Sequence, residues 1–290
     1  MEKKKKRWGD RFDATMVRDL DPLHWFFPYI YPNRTDNEAF IQEEFDLTQL
    51  NAYLEKKNEG RDADKYTVFH ALCAVVVKAV TLRPKMNRFI KGCRIYQRDD
   101  LTLSFVVKKQ FSDEAQEALA FIKFGPETTM DSLHERIMQE IHTCRSDAVD
   151  NSTDKMEMFT HLPRWLMRIV MWGLHRLDFF GKLPYDLIKA DPNHASVFLT
   201  NLGSIKLNAA YHHLSNWGTT SVFVVVGEKA MRPCFNPDGS YEMRDMLPVG
   251  ITLDERIADG YYYARTIRLI KHLIAHPELL DRPANEEVQY

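Results

Sequence analysis

Val249-Gly-Ile-Thr-Leu-Asp254-Glu255-Arg256-Ile257-Ala258-Asp259-Gly260 is the stretch whose reading decides the fold. Leu247 to Leu253 is predicted to be a strand. Asp259 then caps a helix that runs to His276 and stops before Pro277, where a ring replaces the backbone N–H. A buried strand, an acidic turn and a long amphipathic helix in that order describe an α+β segment. Without further context, Asp254, Glu255 and Asp259 read as a solvated acidic turn and a helix cap.

Working backwards along the chain, Ser221 to Gly227 is a fully apolar run (Val222, Phe223, Val224, Val225, Val226) of the kind found in a central strand covered on both faces. Met231 to Met243 has a hairpin pattern around Asn236-Pro237-Asp238-Gly239. Ser196 to Thr200 has strand character, as do Ala39 to Asp46, Cys93 to Tyr96, Leu101 to Val107 and Phe121 to Phe124. Helices are predicted over Asp46 to Lys57, with Asp46 as cap, over Thr67 to Leu82, over Met130 to Cys144 and from Leu162 to Phe180. Asp150 to Lys155 is polar and turn-like. Asp21 to Asn37, crowded with proline and aromatics, holds no sustained period and is predicted to be an ordered, buried lead-in. Residues 1–12 are expected to form a basic flexible tail and 13–290 a single domain.

The chain has 290 residues, 44% of them hydrophobic, which is ample for a large core. Its 39 basic and 41 acidic side chains leave a net charge of -2, which provides no electrostatic footprint for nucleic acid. Cys73, Cys93, Cys144 and Cys234 lack the spacing of a zinc site or a disulfide framework, so no metal is expected and a reducing, cytoplasmic setting is. Leu162 to Phe180 is interrupted by Arg164, Arg168, His175, Arg176 and Asp178, too many charges for a membrane span. Its aromatic stripe is expected to pack on the core or on a neighbouring subunit. Peripheral membrane contact is the minor reading.

The run from Asp254 to Gly260 resembles the D-H-R-x-x-D-G signature of the 2-oxoacid dehydrogenase acyltransferases, shared more loosely with chloramphenicol acetyltransferase. Glu255 stands at the histidine position. Phe198-Leu199-Thr200-Asn201-Leu202-Gly203 is similar to that family's F-T-I-[ST]-N-L-G segment. Val222 to Gly227 resembles its A-I-L-G-V-G strand, and Lys65 to Asn87 its helix followed by F-P-x-L-N. Order and approximate spacing agree from about Asp13 to Leu280, least well over Asp150 to Lys189. The resemblance implies an α+β, chloramphenicol acetyltransferase-like two-layer sandwich with a mixed sheet covered by helices, assembled as a homotrimer.

It also implies acyl transfer from a coenzyme A thioester to a small acceptor, with no tightly bound cofactor. Carried over, Thr200 is the oxyanion donor, Asp259 the structural carboxylate, and Glu255 occupies the place of the base. An ordinary thiol, near 8.5, is about 2 units above an ordinary imidazole but about 4 above an ordinary glutamate, a difference close to 3 kcal/mol against a carboxylate base. Asn201, His212 and His213 are the further candidates for substrate contact. For the histidine pair two readings stay open: a replacement base, or ordinary polar residues at a subunit interface. The alternative function is a catalytically silent homologue that binds acyl thioesters or serves as a trimeric scaffold.

Overall fold

The computed structural model describes residues 6–108, 117–145, 161–188 and 191–290. Its main sheet is built from β2 (Glu38–Asp46), β5 (Leu101–Lys108), β6 (Glu117–Phe124), β7 (Val197–Asn201), β8 (Val222–Val226), β9 (Ala230–Phe235) and β10 (Tyr241–Asp254). The order is β2-β10-β8-β7-β5-β6, with β9 paired to β10. β7 is parallel to both β5 and β8 while the other pairs are antiparallel, so the sheet is mixed. A smaller sheet, β1 (Ala14–Met16), β4 (Arg94–Arg98) and β3 (Arg88–Lys91), packs Ala14, Phe89 and Tyr96 together.

Period-two alternation sorts the sheet's two faces. Val222, Val224, Val226, Val249, Ile251 and Leu253 join the main core with α2 (Thr48–Lys57), α3 (Val68–Leu82), α4 (Met130–Arg145) and α7 (Gly260–Ala275). These four helices form the second layer. Phe223 and Val225 point the other way, onto Leu214, Phe198 and Leu202. That face is crossed by the irregular segment 206–221, which runs flat because β8 and β10 offer it glycines. A Cβ on Gly227 would lie 2.2 Å from the Ala209 nitrogen, and one on Gly250 would lie 2.2 Å from the Ala210 oxygen. Only hydrogen fits at either position.

Three expectations need correction. Asp21 to Asn37 contains a helix, α1 (Pro22–Ile30), capped by Asp21 through the N–H groups of Leu23 and His24. Its aromatics Trp25, Phe26 and Tyr29 are exposed rather than buried, and because they surround the axis together with Pro28 they left no helical period to read. The tail ends before residue 12: Arg11 is buried and ion-paired to Asp13 and Asp178. The hairpin around Asn236–Gly239 is present, but its second arm and the strand expected from Leu247 are one continuous strand, β10, whose partner changes from β9 to β8 beside Pro248. A proline lacking a ladder donor is tolerated at such a changeover. The turn expected over Asp150 to Lys155 lies outside the described residues.

α5 (Arg164–Phe179) and the short α6 (Tyr185–Ile188) are the described helices of the segment where the family resemblance is weakest. No helix among the described residues is long and apolar enough to cross a membrane.

Candidate functional site

The structure divides the candidate residues between two places. Thr200, Asn201, His212 and His213 line one cavity of about 470 Å³, while Glu255 and Asp259 lie elsewhere. The register measures the gap. Thr200 is level with Val225, and Val225 with Gly250. Glu255 stands five residues beyond Gly250, in the 3-10 turn after β10. Two strand spacings and five residue rises amount to roughly 19 Å.

The cavity forms where the sheet splits. β5 and β7 pair only from Leu103 to Phe105 and from Val197 to Leu199, so Val106 and Val107 part from Thr200 and Asn201. Phe69 of α3 and Ile141 of α4 reach the opening from one side, and His212 to Ser215 from the other. Most of the lining is apolar, with hydroxyl, amide and imidazole groups at the loop side. That is the composition expected of a pocket for an organic ligand.

Thr200 follows Phe198 by two residues on β7, so the two share a face. Phe198 stacks on Phe223 (centroids 4.7 Å apart, 12° between planes), and Phe223 stacks on His212 (4.2 Å, 8°). His212 thus lies flat on Phe223 and lines the same cavity as Thr200. Its Nδ1 is 2.8 Å from the His213 carbonyl oxygen. A carbonyl can only accept, so Nδ1 carries a proton there, and in the neutral ring Nε2 is the acceptor. The segment is pinned at several points: the Leu214 N–H donates to the Glu38 carboxylate, Tyr211 packs on Phe40, and Arg34 donates to the Ser215 and Gly218 carbonyls. The Asn201 side chain accepts from Ser204 N–H (3.3 Å) and closes the turn that follows β7.

At the other end of β10, Asp254 is fully buried between two cations. Arg256 donates from Nε (2.7 Å) and Nη2 (2.6 Å), and Arg34 Nε lies 3.5 Å away. Burial pushes the Arg34 guanidinium below its ordinary value, against the pull of Asp254. Glu255, the next residue, is exposed, and its backbone N–H donates to the Asn37 carbonyl at 3.0 Å. Asp259 accepts from Tyr262 N–H at 2.8 Å, and that bond is the main reason its carboxyl is held below the usual range. It is a helix cap at the surface.

Two further polar groups lie behind the cavity, and the partners they bind carried no sequence signal. Arg98, buried and pushed down to about 9 by that burial, donates to the carbonyls of His194, Ala195 and Thr219. His194, also buried, places Nδ1 3.1 Å from Asp191, outside the cavity lining. Nothing in a lone arginine or histidine announces partners that are backbone carbonyls from distant segments. Among the described residues, no group of three His, Cys, Asp or Glu side chains is placed to hold a metal ion.

Neither a family model nor a curated protein matches the chain by sequence. Solved structures do match by fold. The cubic core of the pyruvate dehydrogenase multienzyme complex superposes with a TM-score of 0.60 at 14% identity, covering 92% of this chain and 94% of that one. Dihydrolipoamide acetyltransferase of Azotobacter vinelandii gives 0.59 at 16% identity over 92% and 94%. A chloramphenicol acetyltransferase gives 0.56 at 11% over 90% and 99%. The architecture implied by the Asp254–Gly260 and Phe198–Gly203 runs is the one found: the chain has the α+β fold shared by the 2-oxoacid dehydrogenase acyltransferase core and chloramphenicol acetyltransferase.

Proposed function

We propose that the chain transfers an acyl group from coenzyme A, or another thioester, to a small acceptor inside the Thr200–His212 cavity. The observation that carries this reading is one imidazole and one hydroxyl lining the same cavity, the imidazole held by a hydrogen bond from Nδ1 that leaves Nε2 as its acceptor. Nε2 takes the proton from the acceptor's thiol or hydroxyl, and the acceptor attacks the thioester carbonyl. Thr200 Oγ1 donates to the oxyanion of the tetrahedral intermediate. Collapse breaks the carbon–sulfur bond, and the departing thiolate recovers the proton from the imidazolium. Coenzyme A is a substrate in this scheme and no resident cofactor is required.

A second reading keeps Glu255 as base. Its exposure at a sheet end and its distance from the cavity mean that it would act only on the cavity of another subunit. The homotrimer expected from the family resemblance would provide one. Apolar side chains exposed on the β9–β10 hairpin, Met231, Phe235 and Tyr241, are available for such association.

Thiol release from acetyl, propionyl and longer coenzyme A thioesters, measured with an acceptor panel, tests both. With His212 as base, His212→Asn loses about 10²–10⁴ in rate and Thr200→Val about 10²–10³, while Glu255→Gln is unchanged. Abolition by Glu255→Gln with His212→Asn unaffected replaces the first reading with the second. A wild-type protein that never turns over, yet melts higher with coenzyme A present, is a silent binder.

A further inference from the structure

We propose that the outward face of α5 is a docking surface for anionic lipid bilayers. Trp165, Ile169, Trp172 and Arg176 follow one another at i, i+4, i+7 and i+11, which places them on a single stripe. That stripe faces solvent: Trp165 is 65% exposed, Ile169 56% and Trp172 67%. Amphipathic helices on a globular core turn such residues inward. This one turns two indoles outward.

The orientation is fixed by the residues behind the stripe. Asp178 is 0% exposed and held by Arg11 (3.2 Å) and Lys91 (2.6 Å). His175 meets the Trp217 ring edge-on at 5.3 Å. Gly92 lets the Phe179 carbonyl approach so closely that a Cβ there would lie 2.2 Å from its oxygen. The outward display is therefore part of the packed structure and not a loose helix caught in one pose.

Charge decides the partner. Asp178 is the helix's one acid and points into the protein, so its exposed charges, Arg164, Arg168 and Arg176, are all positive. Indoles seat at the level of lipid headgroups, and guanidinium groups beside them meet phosphates. A second copy of this helix would instead set guanidinium against guanidinium. Sixteen residues with this many charges lie on a bilayer and do not span it. The proposal stands apart from the acyl-transfer reading, because no α5 residue lines the cavity.

Flotation of the full chain with phosphatidylcholine vesicles, with and without phosphatidylglycerol, tests it. The protein is expected to float with the anionic vesicles only, and less in high salt. Neutralising Arg164, Arg168 and Arg176 to Gln should lower partitioning on the order of a hundredfold, at about 1 kcal/mol per charge. Trp165→Ser with Trp172→Ser should remove it. An unchanged thermal melt shows that the variants remain folded. Failure of the wild type to float with anionic vesicles overturns the proposal. So does a tryptophan variant that floats normally but sediments at a lower mass without lipid, since the face would then belong to a second copy.

Discussion

Asp254 and Glu255 are neighbours in sequence, and their substitution should have opposite consequences. Asp254→Ala removes the one carboxylate shared by Arg34 and Arg256, whose side chains are almost completely buried. At 3.5 Å and an effective dielectric of about 20, the Arg34 attraction alone is about 5 kcal/mol before desolvation. Leaving buried cations unpaired costs about 3–5 kcal/mol in comparable cases. Three hydrogen bonds from Arg256 to this carboxylate disappear as well. A loss near 4 kcal/mol corresponds to a melting temperature lower by about 7 °C for a chain of this size. Glu255→Gln alters an exposed side chain and should stay within about 0.5 kcal/mol of wild type. Urea titration followed by tryptophan fluorescence, together with calorimetry, measures both. If Asp254→Ala unfolds within 1 kcal/mol (an order-of-magnitude bound) of wild type, the reasoning from burial to an ionic latch is wrong.

Burial, with His134 nearby, lowers His70 from 6.5 to about 4. The unfolded chain therefore binds the proton more tightly, and stability is full above 6.5 and declines by about 3 kcal/mol as pH falls to about 4. His70→Asn should flatten most of that slope, His134 contributing a remainder of the same sign. A wild-type stability that is level across the window counts against it. Gly250→Ala should push the Ala210 carbonyl off β10, costing about 1–3 kcal/mol and lifting His212 from Phe223, so that melting temperature and any acyl-transfer rate fall together. An unchanged melt and rate would mean that the glycine does not set the loop's path.

The elements most legible in the sequence were those whose evidence is local. Val222 to Val226 is apolar at every position because helices cover one face and a loop the other. α3 and α7 begin at Thr67 and Asp259, both of which cap through their side chains. The Phe198–Gly203 run holds strand, hydroxyl and turn in consecutive residues, so its likeness to the family survives low identity. α1 was hidden by aromatics on every side of its axis. The grouping of the candidate site was hidden for another reason: the motif holds Glu255 and Asp259 within five consecutive residues, whereas His212 joins the cavity of Thr200 through the path of an irregular segment. Such a path is written in the glycines beneath it, Gly227 and Gly250, and in Arg34 and Glu38 far upstream.

Those two glycines separate the course of the 206–221 segment from the identity of its side chains. Backbone lies against backbone at Ala209 and Ala210, so that contact does not depend on what His213 and Ser215 carry. The cavity wall can accordingly be rewritten at His213 and Ser215 without redesigning the sheet. A small saturation library at those two positions, built with His212 and both glycines kept, is the economical place to search for altered acceptor preference.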